Sequence, residues 1–291
     1  MRKILITGGN GFIGRNLKEK MQGKYSLFAP SHKELDILDY NHLFRYVVDN
    51  KIDVIIHSAV HVPRFNGYEH EMLNDLLMFW NLEKISGMVE KIIYFGSGAE
   101  FDKRYNITNV SEEDLGSSIP ITEYGLAKYT MTKWARNSKN MYNIRLFGIF
   151  GKYELWDVKF LSNLCCKAIF GLPLSIRKDC SFNFVFVEDL VQVVEWLIDN
   201  DPLYHDYNFC HDLNYKLTEL AQMIRFISGK SLEIVLLSDD IDLDYTASNL
   251  RLRREMNALE ITSMEKALVS LYQYYCDIKE SIDYSILQKT R

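Results

Sequence analysis

The stretch that decides the fold lies at the start of the chain, KILITGGNGFIG at residues 3–14. Lys3–Thr7 is an apolar run of the length of a buried strand, and helical spacing of apolar residues begins at Phe12. The glycines between them permit a tight turn, a close approach to a pyrophosphate and close helix–strand packing, and the helix N-terminus supplies N–H donors. We therefore predict a dinucleotide site formed by Gly8, Asn10, Gly11, Phe12, Ile13 and Gly14.

Apolar runs and amphipathic stretches alternate from this turn to about residue 150. Further apolar runs lie at 53–57 and 91–95, and helical patterns lie at 41–50 and 71–90. This alternation predicts an α/β fold, with a Rossmann-like doubly wound parallel sheet. We assign residues 1–150 to a dinucleotide-binding domain to which 184–200 return. A smaller, mixed α/β substrate-binding domain is expected over 151–183 and 201–291.

Composition excludes several classes of protein. The chain has 291 residues and a net charge of −5, so neither nucleic acid nor an anionic membrane is an expected partner. Five cysteines without C-x-x-C spacing argue against a disulfide framework and a zinc site, so no metal is predicted. The first residues have a strand pattern rather than that of a signal peptide, and no apolar stretch approaches about 18 residues. We expect a cytoplasmic protein.

The segment after the second strand bears on the choice of dinucleotide. An NAD enzyme usually has an acid there to hold the ribose 2′-hydroxyl. Here residues 25–29 lead into Ser31, His32 and Lys33, which would suit a 2′-phosphate, so NADP(H) is favoured over NAD(H). The alternative is a plain polar loop with the adenosine held elsewhere. Asp36 and Ile37 follow at the distance expected for adenine contacts.

A tyrosine and a lysine form the candidate catalytic pair. Tyr124 and Lys128 are four residues apart, which places them on one face of a helix. A nearby ammonium lowers the pKa of a phenol, normally near about 10, toward the range of a proton shuttle. Ser97 follows the strand pattern at 91–95, at the edge of the sheet where ligands bind in such folds, and can hydrogen-bond a substrate carbonyl.

These motifs resemble the extended short-chain dehydrogenase/reductase family of sugar-nucleotide epimerases, dehydratases and reductases. The resemblance covers essentially the whole chain and includes DVIIHSA at 53–59, RLFGIFG at 145–151 and FVFVED at 184–189. It implies that Ser97, Tyr124 and Lys128 are the catalytic residues and that Lys128 also binds the nicotinamide ribose. It also places Ser58, Ala59 and Phe147 beside the cofactor.

Within this family, SHKELDILD at 31–39 is most similar to GDP-fucose synthases and dTDP-4-dehydrorhamnose reductases. Both use NADPH to reduce a 4-keto-6-deoxy sugar. Dehydratases have an Asp-Glu pair where this chain has Gly98 and Ala99. GDP-fucose synthases epimerise with a cysteine and a histidine, where this chain has Ala99 and, approximately, Lys159. We expect reduction without epimerisation, with Lys159, Lys167 and Arg177 as candidate contacts to the nucleotide-sugar substrate.

Two other functions stay open. One is an NAD-dependent nucleotide-sugar 4-epimerase, and the other is a dinucleotide-binding scaffold or redox sensor, which would not need the catalytic pair. We also expect a homodimer paired through helices at 71–90 and 123–139. These helices carry many apolar residues: Leu76, Leu77, Phe79, Trp80, Leu82, Tyr129, Met131 and Trp134.

Overall fold

The computed structural model describes residues 1–67 and 69–289. These residues form fourteen β-strands: β1 Lys3–Thr7, β2 Ser26–Phe28, β3 Val54–His57, β4 Lys91–Ser97, β5 Ile107–Val110, β6 Met141–Leu146, β7 Ile149–Phe150, β8 Leu174–Ile176, β9 Ser181–Phe182, β10 Val185–Phe186, β11 Asp206–Phe209, β12 Tyr215–Lys216, β13 Ile234–Leu236 and β14 Tyr245–Ala247. They also form eleven α-helices: α1 Phe12–Met21, α2 Tyr40–Asn50, α3 Pro63–Asn66, α4 Glu71–Lys84, α5 Glu123–Ala135, α6 Phe160–Phe170, α7 Leu190–Asp199, α8 Leu217–Ser228, α9 Leu250–Glu255, α10 Met264–Asp277 and α11 Tyr284–Leu287.

The central sheet has six parallel strands in the order β2-β1-β3-β4-β6-β11. Its inner strands are mostly apolar because both faces are covered, although β6 also contains the buried polar residues Asn143 and Arg145. Ile4, Leu5 and Ile6 of β1, for example, are fully buried on alternating faces. Because these strands are parallel, the carboxyl ends of β1, β3 and β4 lie at the same edge of the sheet.

Helices cover both faces of this sheet. Leu17 of α1 and Val193 of α7 belong to the core on one face. Leu43 of α2, Phe79 of α4 and Met131 of α5 belong to the core on the other face. The structure is therefore the doubly wound, Rossmann-like fold predicted from the alternation of elements.

The edge strand β11 of the central sheet changes one predicted domain boundary. The sequence pattern assigns residues 201–291 to the substrate domain, but Asp206–Phe209 pairs with β6 in the central sheet. This strand is difficult to recognise from sequence because Asp206 and Asn208 interrupt its apolar residues. Both polar side chains are buried, and both are bonded to the Arg145 guanidinium, which offsets the cost of removing them from water.

The later part of the chain adds a further apolar core and a small sheet. Leu164 of α6, Leu220 of α8 and Leu268 of α10 lie in that core. The small sheet has the order β12-β9-β14-β5, so that β5, from the first half of the chain, pairs with β14. Among the described residues, all five cysteines are free thiols, and no helix has the length and apolar character needed to span a membrane.

Candidate active site

The glycine turn between β1 and α1 is shaped by close backbone contacts. Gly8 has φ of +67°, and a Cβ there would lie 2.6 Å from the backbone nitrogen of Ala59. A side chain at Gly14 would collide with the backbone of Gly8 and Gly9. Gly11 is the N-cap of α1, and its N–H donates to the Gly8 carbonyl at 2.9 Å. Asn10 is exposed and Phe12 and Ile13 are half-buried beside this turn.

The loop after β2 contains basic and acidic groups close together. His32 and Lys33 are exposed. The N–H and the hydroxyl of Ser31 both donate to a Glu34 carboxylate oxygen, at 2.7 and 2.8 Å. Asp36 Oδ1 lies 3.8 Å from His32 Nδ1. The hydroxyl of Ser31 is therefore already engaged, which leaves His32 and Lys33 as the groups able to face a 2′-phosphate.

The following residues, 36–38, are held by α4. Asn81 donates its side-chain amide to the carbonyls of Ile37 and Leu38, at 3.0 and 2.9 Å. The Ile37 side chain is buried in the core, so only its backbone is available to a ligand.

The carboxyl end of β3 is tied to that of β1. Ser58 donates its hydroxyl to the Thr7 carbonyl at 2.6 Å, and Thr7 Oγ1 lies 2.8 Å from His57 Nδ1. Burial, followed by the nearby Lys128 ammonium, lowers the pKa of His57 to about 3. His57 is therefore neutral near pH 7. It is the last residue of β3 and directly precedes Ser58 and Ala59.

Ser97 ends β4 and is oriented by the short 3₁₀ turn that follows it. Its Oγ accepts the Ala99 N–H at 3.1 Å, and its own N–H donates to Glu100 Oε1 at 3.1 Å. Ser97 and Glu100 thus form a capping box, which fixes the serine relative to the turn.

Glu100 connects this turn to a buried ionic network. The glutamate and Arg145 are both fully buried, and Arg145 Nε donates to Glu100 Oε2 at 2.7 Å. Asn143 donates to Glu100 Oε1 at 3.1 Å and accepts the Gly96 N–H at 2.7 Å. Arg145 also donates to Asp206 at 2.8 Å. Three strands of the sheet thus hold the turn that carries Ser97.

Helix α5 brings Tyr124 and Lys128 against this turn. Thr122 caps the helix by accepting the Gly125 N–H at 3.1 Å. A Cβ at Gly125 would lie 2.6 Å from the Ala99 carbonyl oxygen, so only glycine allows such close packing. As a result the Tyr124 hydroxyl hydrogen-bonds Ser97, and Lys128 Nζ lies 5.7 Å from the centroid of the Tyr124 ring. The three residues predicted to be catalytic lie together.

The protonation of Tyr124 differs from the sequence-based expectation. Burial, reinforced by the charges of Asp75, Glu100 and Glu71, raises the pKa of Tyr124 to about 12, although the bond with Ser97 opposes this. The sequence-based expectation that the Tyr124 pKa is lowered considered only the Lys128 ammonium. The Tyr124 and Lys128 pair gives no sign of the carboxylates that α4 and the 3₁₀ turn place nearby, so the direction of the predicted pKa shift was wrong.

Asp75 of α4 lies in the electrostatic field of Lys128. It is 2% exposed, its Oδ1 accepts the His61 N–H at 2.7 Å, and its Oδ2 is buried without a hydrogen-bond partner in the described part of the chain. Burial lowers the pKa of Lys128, and the Asp75 and Glu100 charges act in the opposite direction. The two carboxylates therefore help to keep the buried ammonium charged.

A fourth residue, which the sequence motifs do not indicate, reaches the same place. Tyr245 of β14 is 8% exposed and hydrogen-bonds Ser97 through its hydroxyl. Its ring centroid lies 5.1 Å from that of Phe147, which is fully buried beside Gly98. Phe147 therefore lies under the turn formed by residues 97–100, next to Tyr245.

The three predicted substrate cations are not grouped together. Lys159 is an exposed residue at the start of α6. Lys167 is buried, and its ammonium donates to Ser175 of β8 at 2.6 Å, inside the later part of the chain. Arg177 has a side chain that is 79% exposed and lies 3.5 Å from Asp242. Of these three cations, Lys159 is the one whose charge acts on Lys103, which lies near the predicted catalytic residues.

Lys103 is a further cation near the catalytic residues. Its Nζ lies 4.6 Å from the centroid of the Tyr245 ring. Surrounding protein atoms, and then the Lys159 ammonium, lower the pKa of Lys103, although its side chain is still exposed to solvent in part. Lys103 and Lys159 are therefore close enough for their positive charges to act on each other. In residues 1–67 and 69–289, no group of three or more His, Cys, Asp or Glu is arranged to hold a metal ion.

The residues present fit a dinucleotide. Gly8 and Gly14 let β1, α1 and the backbone of Ala59 pack closely at this turn, and the N-terminus of α1 presents its N–H groups there. Ser97 and Tyr124 then lie at the carboxyl edge of the sheet, with hydroxyls that can bind and protonate a reacting oxygen. Such an arrangement defines an oxidoreductase of the nicotinamide-dependent class.

The comparisons with known proteins agree with this class. The sequence model of the NAD dependent epimerase/dehydratase family matches residues 4–210. The chain belongs to this family and is an NAD(P)-dependent enzyme. It is 25% identical over 255 residues to the GDP-L-colitose synthase of Yersinia pseudotuberculosis, covering 78% of this chain and 82% of that protein. It is 23% identical over 251 residues to the GDP-6-deoxy-D-talose 4-dehydrogenase of Aggregatibacter actinomycetemcomitans, covering 80% and 82%.

A solved structure supports the fold independently. The GDP-L-fucose synthetase from Naegleria fowleri superposes with a TM-score of 0.84 at 19% identity, covering 96% of this chain and 94% of that one.

Proposed function

We propose that this enzyme uses NADPH to reduce the 4-keto group of a nucleotide-linked 6-deoxy sugar and leaves the neighbouring stereocentres unchanged. The observation that carries the proposal is the position of Tyr124, which hydrogen-bonds Ser97 and lies beside Lys128. A phenol holds its proton at neutral pH and is suited to giving it to an oxygen that gains charge. Reduction of a ketone requires such a donor, and the same residue as tyrosinate would be the base in the reverse oxidation.

The roles of the side chains follow from their positions. Bound nicotinamide supplies the hydride. Ser97 donates a hydrogen bond to the carbonyl oxygen, and Tyr124 transfers its proton to that oxygen as negative charge develops there. Lys128, kept charged by Asp75 and Glu100, stabilises the tyrosinate that is left. Glu100 and Asn143 hold the backbone of the turn so that the serine does not move during the reaction.

The substrate class is supported by the relatives and by local charge. The two relatives are named GDP-L-colitose synthase and GDP-6-deoxy-D-talose 4-dehydrogenase, and both names specify a GDP-linked sugar. Lys103 and Lys159 form an electropositive edge beside Tyr245, which suits a diphosphate. We propose that residues 151–183, with the part of 201–291 outside β11, form the substrate-binding domain.

Retention of the stereocentres is proposed from the residue at position 99. Epimerisation beside a ketone removes a proton from one face of the ring and returns one to the other. Ala99 cannot titrate, and its neighbour Glu100 is turned into the ion network with Arg145. Turnover in D₂O should therefore give a product without deuterium at C3 or C5, measured by mass spectrometry and NMR. Solvent deuterium fixed there above the no-enzyme background would contradict the proposal.

A cofactor-oxidation assay tests the reaction itself. NADPH consumption is measured against a panel of nucleotide-linked 4-keto-6-deoxy sugars, with 4-hydroxy sugars tested in parallel without added cofactor. Turnover of a keto sugar with stoichiometric NADPH oxidation is the expected result. Interconversion of 4-hydroxy sugars by a cofactor retained in the purified protein would identify a 4-epimerase instead.

The cofactor preference is proposed from the loop after β2. Exposed Lys33 is suited to a 2′-phosphate, and a charge-assisted contact is worth about 1.5–3 kcal/mol, or very roughly 10- to 100-fold in kcat/KM. Lys33→Glu should narrow the preference for NADPH over NADH. Lys51→Glu, an exposed lysine after α2, is the matched control and should leave the preference unchanged. Equal use of both cofactors by the unaltered enzyme would refute the preference.

A homodimer is proposed through α4 and α5. Phe79, Leu82 and Met131 are buried in the core, so they do not form the expected surface. Leu73, Leu77 and Trp134 are 40–51% exposed on the same two helices. We expect a dimer mass by light scattering at micromolar concentration. A monomer mass would remove the proposal.

A further inference from the structure

Tyr245 brings a third hydroxyl group to the catalytic serine. Its phenol hydrogen-bonds Ser97, which also hydrogen-bonds Tyr124. Tyr245 lies 121 positions after Tyr124 in the chain, on a strand outside the central sheet. The roles assigned above to Ser97, Tyr124 and Lys128 make no use of it.

The backbone around Tyr245 holds its ring in place. The Tyr245 carbonyl accepts the Asn183 N–H at 3.0 Å, and Asn183 Oδ1 accepts the Ala247 N–H at 2.6 Å. The ring packs between those of Phe147 and Phe182, at centroid distances of 5.1 and 4.8 Å. A rigid backbone and two aromatic neighbours thus direct the hydroxyl at the catalytic turn.

The catalytic turn accommodates this hydroxyl through a glycine. A Cβ at Gly98 would collide with the Tyr245 hydroxyl and with the Phe147 ring. The close approach of the phenol to Ser97 therefore depends on the absence of a side chain at this position.

The hydrogen bonds of Ser97 can be counted. A serine hydroxyl has one proton to donate and two lone pairs that accept. One lone pair of Ser97 accepts the Ala99 N–H at 3.1 Å. Burial raises the pKa of Tyr245, so its phenol stays protonated at neutral pH and is able to donate to the second lone pair. If the phenol donates there, both lone pairs are in use and the serine proton has only the side facing Tyr124 and the substrate.

We propose that Tyr245 is a positioning residue that donates a hydrogen bond to Ser97 Oγ and so directs the serine proton at the substrate carbonyl oxygen. The inference rests on the proposed function, since it requires a carbonyl or alcohol oxygen beside Ser97. It assigns Tyr245 no direct contact with the reacting atoms. Its effect on turnover must therefore disappear when the serine hydroxyl is removed.

A double-mutant cycle tests this coupling. Tyr245→Phe keeps the ring and removes the hydroxyl, and should lower kcat about fivefold to tenfold with KM nearly unchanged, as expected for one neutral hydrogen bond. In a Ser97→Ala background the same substitution should change kcat less than about twofold. Tyr215→Phe, on β12 of the same small sheet, is the matched control and should leave kcat unchanged in both backgrounds.

Each other outcome of the cycle contradicts the proposal. Equal losses in the two backgrounds would show that Tyr245 acts on the substrate directly or through general packing. Full activity of Tyr245→Phe would show that its hydroxyl has no role. Melting temperature and NADPH affinity of each variant verify that the fold and the cofactor site are kept.

A measurement without substrate separates this inference from the proposed function. In protein labelled with [ζ-¹³C]tyrosine, the ¹³C NMR signal of Tyr245 is assigned by its disappearance in the Tyr245→Phe variant. Ser97→Ala should shift the Tyr245 signal and leave that of Tyr215 in place. An unmoved Tyr245 signal would overturn the inference whether or not a sugar is reduced, whereas a shifted signal with no keto-sugar turnover would reject only the proposed function.

Discussion

The proposed cofactor turn at 8–14 and the proposed catalytic turn at 97–100 are held by different interactions, although both follow strands of one sheet. The turn at Gly8–Gly14 is shaped by backbone contacts between residues within six positions of each other and by the neighbouring Ala59. The turn at Ser97–Glu100 is shaped by charged and polar side chains from β6, β11 and α5. The first turn follows from local sequence, whereas the second requires the assembled sheet.

This difference predicts how each turn responds to substitution. A glycine turn tolerates no added atoms but contains no buried charge. The catalytic turn contains a buried carboxylate that would be costly to leave without its cation. Changes of charge should therefore affect the catalytic turn more than the cofactor turn.

The largest effect is expected from Glu100→Gln. It keeps the size of the side chain but leaves Arg145 buried with one carboxylate fewer, so the free energy of unfolding should fall by about 3–5 kcal/mol. Urea denaturation at pH 7 measures this change. Glu90→Gln, which breaks an exposed pair with Arg2, is the control and should cost at most about 1 kcal/mol. Similar losses for the two variants would show that the buried pair does not hold the turn.

Glu154 provides the next test because it is a buried glutamate that is hydrogen-bonded to Ser162, at 2.6 Å, rather than to an arginine. Burial raises the pKa of Glu154 from 4.5 to about 7. Above pH 4.5 the unfolded chain releases this proton while the folded chain keeps it, so the carboxyl lowers stability as the pH rises to about 7.

Glu154→Gln should remove this contribution. At pH 8 the variant should be more stable than the unaltered protein by about 3 kcal/mol, and at pH 4 the difference should be small. The exposed Glu265→Gln is the control and should follow the unaltered protein at both pH values. A parallel pH dependence for Glu154→Gln and the unaltered protein would contradict the raised pKa.

Gly14→Ala tests the cofactor turn itself. The added methyl group would meet the backbone of Gly8 and Gly9, so the turn must shift at a cost of about 1–3 kcal/mol. Cofactor affinity, measured by fluorescence titration, should fall about tenfold or more. Gly87→Ala, where no atom lies within 4 Å of the new Cβ, should bind cofactor normally. Unchanged affinity in Gly14→Ala would show that the close approach does not shape the site.

Much of the fold and part of the site could be predicted from sequence because the signals are local. The glycine spacing, the apolar runs and the pair Tyr124 and Lys128 each lie within one short segment. The structure brings Ser97 to that pair because β4 ends where α5 begins to pack.

The remaining features depend on contacts between distant segments. Tyr245 lies 148 positions after Ser97 and belongs to no motif, and β11 contains buried polar residues that look exposed in a sequence. The raised pKa of Tyr124 depends on Asp75 and Glu100, which approach it only in the folded protein. Lys167 is a candidate substrate contact by sequence, but it is buried in the later part of the chain, where its ammonium donates to Ser175. Only the assembled structure reveals these relations.

The most direct test of the central claim, that Tyr124 gives the proton, is the turnover of Tyr124→Phe. The variant lacks the phenol proton, so kcat for keto-sugar reduction should fall by about 10²-fold or more, while NADPH binds with nearly unchanged affinity. Tyr129→Phe, one turn further along α5, is the matched control and should keep normal turnover. A Tyr124→Phe enzyme that retained most of its kcat would contradict the assignment of Tyr124 as the proton donor.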